Sequence, residues 1–150
     1  MDWRANILHT DEQVRELLTE TKRIAVLGIK PESHAMQPAF YVSKYMAEMG
    51  YEIIPVPVYY PEITEILGTP VYRSLMSVPG DVDMVNVFRR PHDIAKHTIE
   101  ILAKRPRSVW FQLGITNDEA AEKFARAGIK VVQDLCLMVE HRTLLRSAAS

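Results

Sequence analysis

The chain has 150 residues, 47% of them apolar and 25% charged, with a formal charge of -1. That is the balance of one globular domain of the commonest size, residues 1–150, and it excludes the general basicity of a nucleic-acid binder, so any anion site must be local. No apolar run approaches the ~18 residues of a membrane span, and the N-terminus "MDWRANILHTDEQ" lacks the order of a secretion signal; a cytoplasmic protein is expected, with no membrane partner.

The first segment, "DEQVRELLTETKR", reads as a helix, with Thr10 as its N-cap, Glu12 and Glu16 near its positive end, and Val14, Leu17 and Leu18 at apolar spacing. The run "RIAVLGI" (23–29) then suits a strand covered on both faces. After a polar loop, "PAFYVSKYMAEMG" reads as a helix with proline at its start and Gly50 at its end. A second strand follows in "YEIIPVPV" (51–58).

The stretch "YYPEITEILGTPVYRSLMSVPGD" carries three prolines and two glycines, which predicts a loop, a short strand near Val71 and an irregular helical turn over Ser74 to Val78. Strands are expected again in "VDMVNVF" (82–88), "SVWFQLGI" (108–115) and "IKVVQD" (129–134). Between them lie the helical patterns "PHDIAKHTIEILAKR" and "NDEAAEKFARAG", the latter capped by Asn117 and stopped by Gly128. The last piece, "LCLMVEHRTLLRSAAS", is helix-prone and frays into a small-residue tail. Strands alternating with helices imply an α/β fold, doubly wound, with a mainly parallel sheet of five to six strands and helices on both faces.

In such sheets the ligand crevice lies outside the carboxyl ends of the strands, where the winding reverses. Five segments are expected to converge there: Gly28 to Phe40, Pro55 to Tyr60, Phe88 to Pro91, Leu113 to Asn117 and Asp134 to Cys136. A dinucleotide cofactor demands a glycine-rich tight turn and an acidic residue at the end of the second strand. The loop "GIKPESHAMQP" has one glycine, the second strand ends in "PVPVYYP", and no Walker pattern is present. Basic side chains nevertheless stand near the strand ends: Lys30, Lys44 and the pair Arg89-Arg90. They suit a nucleotide with a pyrophosphate and an additional ribose phosphate, since guanidinium forks hold phosphate at two points.

Seven motifs together resemble a known family: "IAVLGI", "QPAFYVSKYM", "GYEIIPV", "VYRSL", "VDMVNVFRRP", "FQLGITNDEAA" and "GIKVVQDLCLMVEHR". They resemble the small stand-alone CoA-binding-domain proteins, whose fold also forms the N-terminal domain of the succinyl-CoA synthetase alpha subunit. The likeness covers about 22–145. It implies a Rossmann-like sheet holding coenzyme A or an acyl-CoA as a small-molecule ligand. By position, Gly28, Ile29 and Lys30 would line the phosphate loop, and Pro38, Phe40 and Tyr41 the start of the helix. Pro55 and Val56 would flank the adenine, and Phe88, Arg89 and Gly114 would border the pantetheine; Gln37 and Cys136 complete the expected site. The chain departs from the family where that tends to read Arg-Pro-Ser-Tyr-Arg and this has Gln37-Pro38-Ala39-Phe40-Tyr41, and where Asp-Arg-Cys is Asp134-Leu135-Cys136. Two arginines and a serine hydroxyl that could meet phosphate are absent.

The resemblance supplies no reaction, and a binding role without catalysis is expected. The alternative is an enzyme acting on a CoA thioester or nucleotide-linked substrate through Cys136; a third reading is a crevice that has lost its ligand and works through protein contacts. The lone Cys136 excludes an internal disulfide. It would sit at a helix start that lowers a thiol's pKa, where it either stays buried and inert or forms a mixed disulfide with the CoA sulfur. His141, five residues on, would face another side of that helix, so no Cys-His pair is implied. His92 and His97 read as solvated side chains, turned about 140° apart on a helix, with no shared metal. Trp110 and Phe111 read as core, whereas Tyr59 and Tyr60 stand where they could stack on adenine. An oligomer, if formed, is expected on general grounds to be a two-fold homodimer.

Overall fold

A computed structural model describes residues 2–146; the small-residue tail lies outside the described residues. Five short runs of apolar residues become the parallel strands β1 (Arg23–Leu27), β2 (Glu52–Val56), β5 (Met84–Val87), β6 (Ser108–Phe111) and β7 (Lys130–Val132), ordered β2-β1-β5-β6-β7. Two residues each form β3 (Glu65–Ile66) and β4 (Thr69–Pro70), a separate antiparallel hairpin. Five α-helices accompany them among the described residues: α1 (Asp11–Glu20), α2 (Pro38–Glu48), α3 (Thr98–Lys104), α4 (Asp118–Arg126) and α5 (Leu137–His141). The architecture is the α/β Rossmann-like sheet anticipated above.

Alternation along each strand sorts the core into two layers. Ile24, Val26, Met84, Trp110 and Val132 face α1, α2 and α5, whose Val14, Leu17, Leu18, Phe40, Val42, Met46 and Leu137 cover them. Ala25, Leu27, Val85, Val87, Phe111 and Val131 face the other way, under Ile94, Ile101, Ala121 and Phe124. Trp110, Phe111 and Phe124 are fully buried, and each large side chain of this kind contributes about 1.5–3 kcal/mol relative to exposure. Pro55 is tolerated in β2 because β2 is an edge strand, its carbonyl taken by the Tyr72 N–H at 2.9 Å. The opposite edge is covered by the N-terminal segment, where Ile7 bridges Val131 in parallel and Leu8 N donates to Val131 O at 2.9 Å.

Local signals fix the ends. Thr10 Oγ1 accepts from Gln13 N and Gln13 Oε1 accepts from Thr10 N, both at 3.1 Å, a reciprocal cap for α1. Asn117 Oδ1 accepts from Ala120 N at 3.0 Å at the start of α4. The strands stop one to four residues before the predicted runs do, because residues such as Ile29 (1% exposed) and Gln112 (3% exposed) remain buried after leaving the sheet. The short strand near Val71 is instead the hairpin just before it, turning through Leu67 (φ 54°) and Gly68 (φ 72°), the pair of positive φ values that a tight two-residue turn requires. A 3-10 turn over Leu75–Ser77, capped by Ser74, follows.

The pattern at 91–105 also divides. Pro91–His97 winds as a 3-10 helix and only Thr98–Lys104 is α, ending at Arg105 in the left-handed region (φ 55°). Three residues per turn stack i on i+3, so His97 follows the fully buried Ile94 inward. Among the described residues no helix is long and apolar enough to cross a membrane.

Candidate functional site

The chain winds from β1 through α2 to β2, then returns past β1 to β5, so the winding reverses between the carboxyl ends of β1 and β5. Gly28 stands at that point with φ +90°; a Cβ here would fall inside contact distance of the Phe88 carbonyl oxygen, and 3.3 Å from Arg89 Cδ. Only a residue without a side chain lets the two backbones approach so closely. Gly28 N donates to Val56 O and Phe88 N to Leu27 O, each at 2.9 Å, which draws three strand ends together.

Beyond Gly28 the loop alternates: Ile29 turns into the core and Lys30 toward the crevice. Lys30 N donates to Ala39 O at 3.1 Å, folding the loop back onto the start of α2. The Lys30 ammonium donates to Gln37 Oε1, and Gln37, although it is the N-cap of α2, makes no side-chain capping bond. Farther along the loop, Glu32 Oε2 accepts from Leu67 N at 2.8 Å, strapping it to the hairpin.

A cavity of about 490 Å³ opens between this loop and the ends of β5 and β6. One wall is Gly28, Lys30, Gln37, Pro38, Ala39 and Tyr41, so the positive end of α2 faces the space. The other wall comprises Phe88 to Pro91 and Gln112 to Ile115, with Cys136 between them. Asn117 Nδ2 donates to Pro91 O at 2.9 Å, fixing the two loops to each other, and Asp134 Oδ1 accepts from Gly114 N at 2.6 Å, tying the second loop to the segment after β7. Beneath lies a buried polar step: Gln112 Nε2 donates to Asn86 Oδ1 at 3.1 Å, and Leu137 N donates to Gln112 Oε1 at 3.4 Å. The lining carries three cations, Lys30, Arg89 and Arg90, and among the described residues no carboxylate and no imidazole.

Arg89 is 8% exposed, and its guanidinium is held from several sides. Nε donates to His97 Nε2 at 3.2 Å, Nη1 to the Tyr59 hydroxyl at 3.4 Å, and Nη2 lies 3.9 Å from Asp93 Oδ2. Its charge also lies over the Tyr59 ring, 5.6 Å from the centroid. The bond from Arg89 holds the Tyr59 phenol below its ordinary pKa. Asp93, 2% exposed, is ringed by Lys96 and Arg90 at 3.0 Å and His92 at 3.6 Å; the Lys96 bond leads in holding its carboxyl down at about 2. Burial, and then the Arg89 charge, push the His97 imidazole down.

Of the residues named from sequence, Gly28, Lys30, Gln37, Pro38, Tyr41, Phe88, Arg89, Gly114 and Cys136 line one cavity. Ile29 and Phe40 point into the core (1% and 5% exposed), and Pro55 and Val56 are buried in β2 rather than in the cavity wall. Lys44 is exposed on α2, outside the lining. His92 is solvated as expected, but His97 is not: the 3-10 winding turns it onto Arg89. His141 is buried with its Nδ1 against the Tyr45 hydroxyl at 2.9 Å, away from the cavity lining. Sequence reasoning missed Asn86 and Gln112, although each is a polar letter set between two apolar ones (Val85 and Val87, Phe111 and Leu113), a signal of a polar group carried into buried surroundings.

A family model described as "CoA binding domain" matches residues 22–142. The chain is 38% identical over 129 residues to the uncharacterized protein YneT of Bacillus subtilis, an alignment spanning 86% of this chain and 92% of that one. Among solved structures it is similar to cell-free ID.343 from Thermus thermophilus, at 40% identity and TM-score 0.83, over 91% of this chain and 100% of the other. A hypothetical protein from Pyrococcus horikoshii OT3 is similar at 35% identity and TM-score 0.81, over 91% and 93%. With the glycine-cinched crevice at the strand ends and most of its length matched, the chain belongs to the CoA binding domain family.

Proposed function

We propose that the crevice binds coenzyme A or an acyl-CoA and that the chain performs no chemistry of its own on it. The observation that carries this reading is the lining: three cations and a helix N-terminus face one cavity on a chain whose formal charge is -1. Phosphate groups answer that arrangement, because charge-assisted bonds to Arg and Lys are about twice as strong as neutral ones. In this reading the diphosphate lies among Lys30, Arg89 and the start of α2, and the pantetheine runs along Phe88 and Gly114 toward Cys136; Arg89, expected from the resemblance on the pantetheine side, is assigned to the phosphates because it shares the lining with Lys30. Pro55 and Val56 act through the position of the β2 end, not through their side chains, and the exposed ring of Tyr59 offers the adenine a stacking face.

The test is calorimetric titration of CoA, acetyl-CoA, NAD and NADP, paired with thermal shift. Ligand at a hundredfold excess over its dissociation constant raises stability by about 2.7 kcal/mol. CoA should do so and the nicotinamide cofactors should not; an equal response to NADP would show a general phosphate site. Arg89→Ala should weaken CoA about tenfold or more, as loss of a charge-assisted contact implies.

The position of Cys136 in the cavity wall favours one second reading, an enzyme acting on a CoA thioester through that thiol. Turnover of acetyl-CoA by the wild type that disappears in Cys136→Ser would establish it.

A further inference from the structure

We propose that His97 is a positioning residue for Arg89: its neutral imidazole takes the guanidinium Nε–H and aims the remaining donors at the ligand's phosphates, so that protonating the ring weakens anion binding. This rests on the coenzyme A reading of the crevice.

The tautomer follows from the donors. Arginine has five N–H groups and no acceptor, so the 3.2 Å contact requires a lone pair on His97 Nε2. The proton of the neutral ring is then on Nδ1, where Glu100 Oε2 stands 3.7 Å away. Glu100 is itself anchored, its Oε1 accepting the Leu75 N–H. A line of contacts thus runs from the α3 layer, through Glu100 and His97, to a cation in the cavity wall. Nη1 donates one N–H to Tyr59 and Nη2 stands 3.9 Å from Asp93, so at least one N–H on each nitrogen is left for an anion. Two guanidinium N–H groups can hold a phosphate at two points.

The titratable and charged groups around His97 are Arg89, Asp93 and Glu100, with Tyr59 reached through Arg89. Protonation would set Nε2–H against Nε–H and place a second positive charge beside the guanidinium. The contact would break and Arg89 would lose its aim. Burial and Arg89 both oppose that event, which puts it below the ordinary histidine range.

The experiment is titration of CoA from about pH 8 down to about pH 5 against the wild type, His97→Gln and His97→Phe. The ligand's own phosphate monoester titrates near ~6, so the His97→Gln protein, with an acceptor oxygen and no titration, provides the baseline. The wild type should lose affinity more steeply than that baseline as pH falls. At about pH 8, His97→Phe should bind about tenfold more weakly than the wild type and His97→Gln should recover part of the loss. Adding Arg89→Ala to His97→Phe should cost less than Arg89→Ala alone. Identical pH profiles for the wild type and His97→Gln, or affinity that rises as the ring is protonated, would overturn the proposal.

A readout without ligand separates this inference from its parent. Long-range proton–nitrogen NMR should find the Nδ1–H tautomer of His97, and Arg89→Ala should abolish that preference. An Nε2–H ring in the wild type would sink the positioning role even if CoA binds. The expected tautomer without CoA binding would sink the ligand reading and leave the contact standing.

Discussion

Replacing Gly28 by alanine tests the close approach that builds the crevice. Its new methyl group would meet the Phe88 carbonyl, backbone that cannot swing aside, and it would do so at φ +90°. The positive φ costs about 1–2 kcal/mol for an L-residue. Relief of the clash requires the ends of β1 and β5 to part, which breaks or weakens the Gly28–Val56 and Phe88–Leu27 bonds, each 2.9 Å and each worth about 1 kcal/mol net. The sum is about 3–4 kcal/mol, a large share of the roughly 5–15 kcal/mol typical of a domain. Gly128 supplies the control, with φ +86° and nothing within 4 Å of an added methyl group, so Gly128→Ala incurs only the backbone cost. Urea unfolding followed by fluorescence of the buried Trp110 should show Gly28→Ala less stable than Gly128→Ala by about 2 kcal/mol, or about 4–8 °C in Tm. Equal losses in the two variants would refute the close-approach argument.

Cys136, half-buried in the cavity wall, should react with a disulfide reagent such as Ellman's, and saturating CoA should slow that reaction at least about fivefold by blocking access; an unchanged rate would remove Cys136 from the site. The Tyr51 hydroxyl donates to Leu18 O at 2.7 Å, so Tyr51→Phe should cost about 1 kcal/mol in urea unfolding. Burial first, then the neighbouring Tyr45, pushes the Tyr51 phenol up to about 12. The unfolded phenol ionises near ~10, so the wild type should lose stability as pH rises from about 10 toward 12, and Tyr51→Phe should lack that component. For Asp93 the sign is opposite: its carboxyl is held at about 2, so its contribution is complete above about 4 and lost as pH falls through 2. Acid unfolding of Asp93→Asn should therefore depend less steeply on pH over that range than unfolding of the wild type.

The sheet was legible because residues such as Ile24, Val26, Val85 and Val109 form apolar runs on both faces, which suits parallel strands between helix layers and little else. The crevice followed from topology, and with it Gly28, Lys30, Arg89, Gly114 and Cys136, since a loop residue at the carboxyl end of a central strand has few other places to be. Side-chain direction did not follow. Ile29 and Phe40 sit beside lining residues in the sequence, but alternation and helix rotation turn them inward. Arg89 read as a ligand-facing cation at a strand end, yet its Tyr59 and His97 partners come from 30 positions before it and 8 after it. His97 was misplaced for one reason: an α-helical period assigns it to an outer face, and the backbone there is 3-10.

The parallel bridge from Ile7 to Val131 leaves the β7 border shielded by a segment that the family match, beginning at residue 22, does not include. A fragment cut to the matched boundaries would bare a row of unpaired amides and carbonyls along that border, together with the apolar surface that Leu8, Val14, Leu17 and Leu18 cover. Such a border is a template for adding strands from other molecules. The trimmed fragment should therefore self-associate more than the full chain in gel filtration, and that outcome would make the segment ahead of β1 a guard against aggregation as well as a layer of the fold.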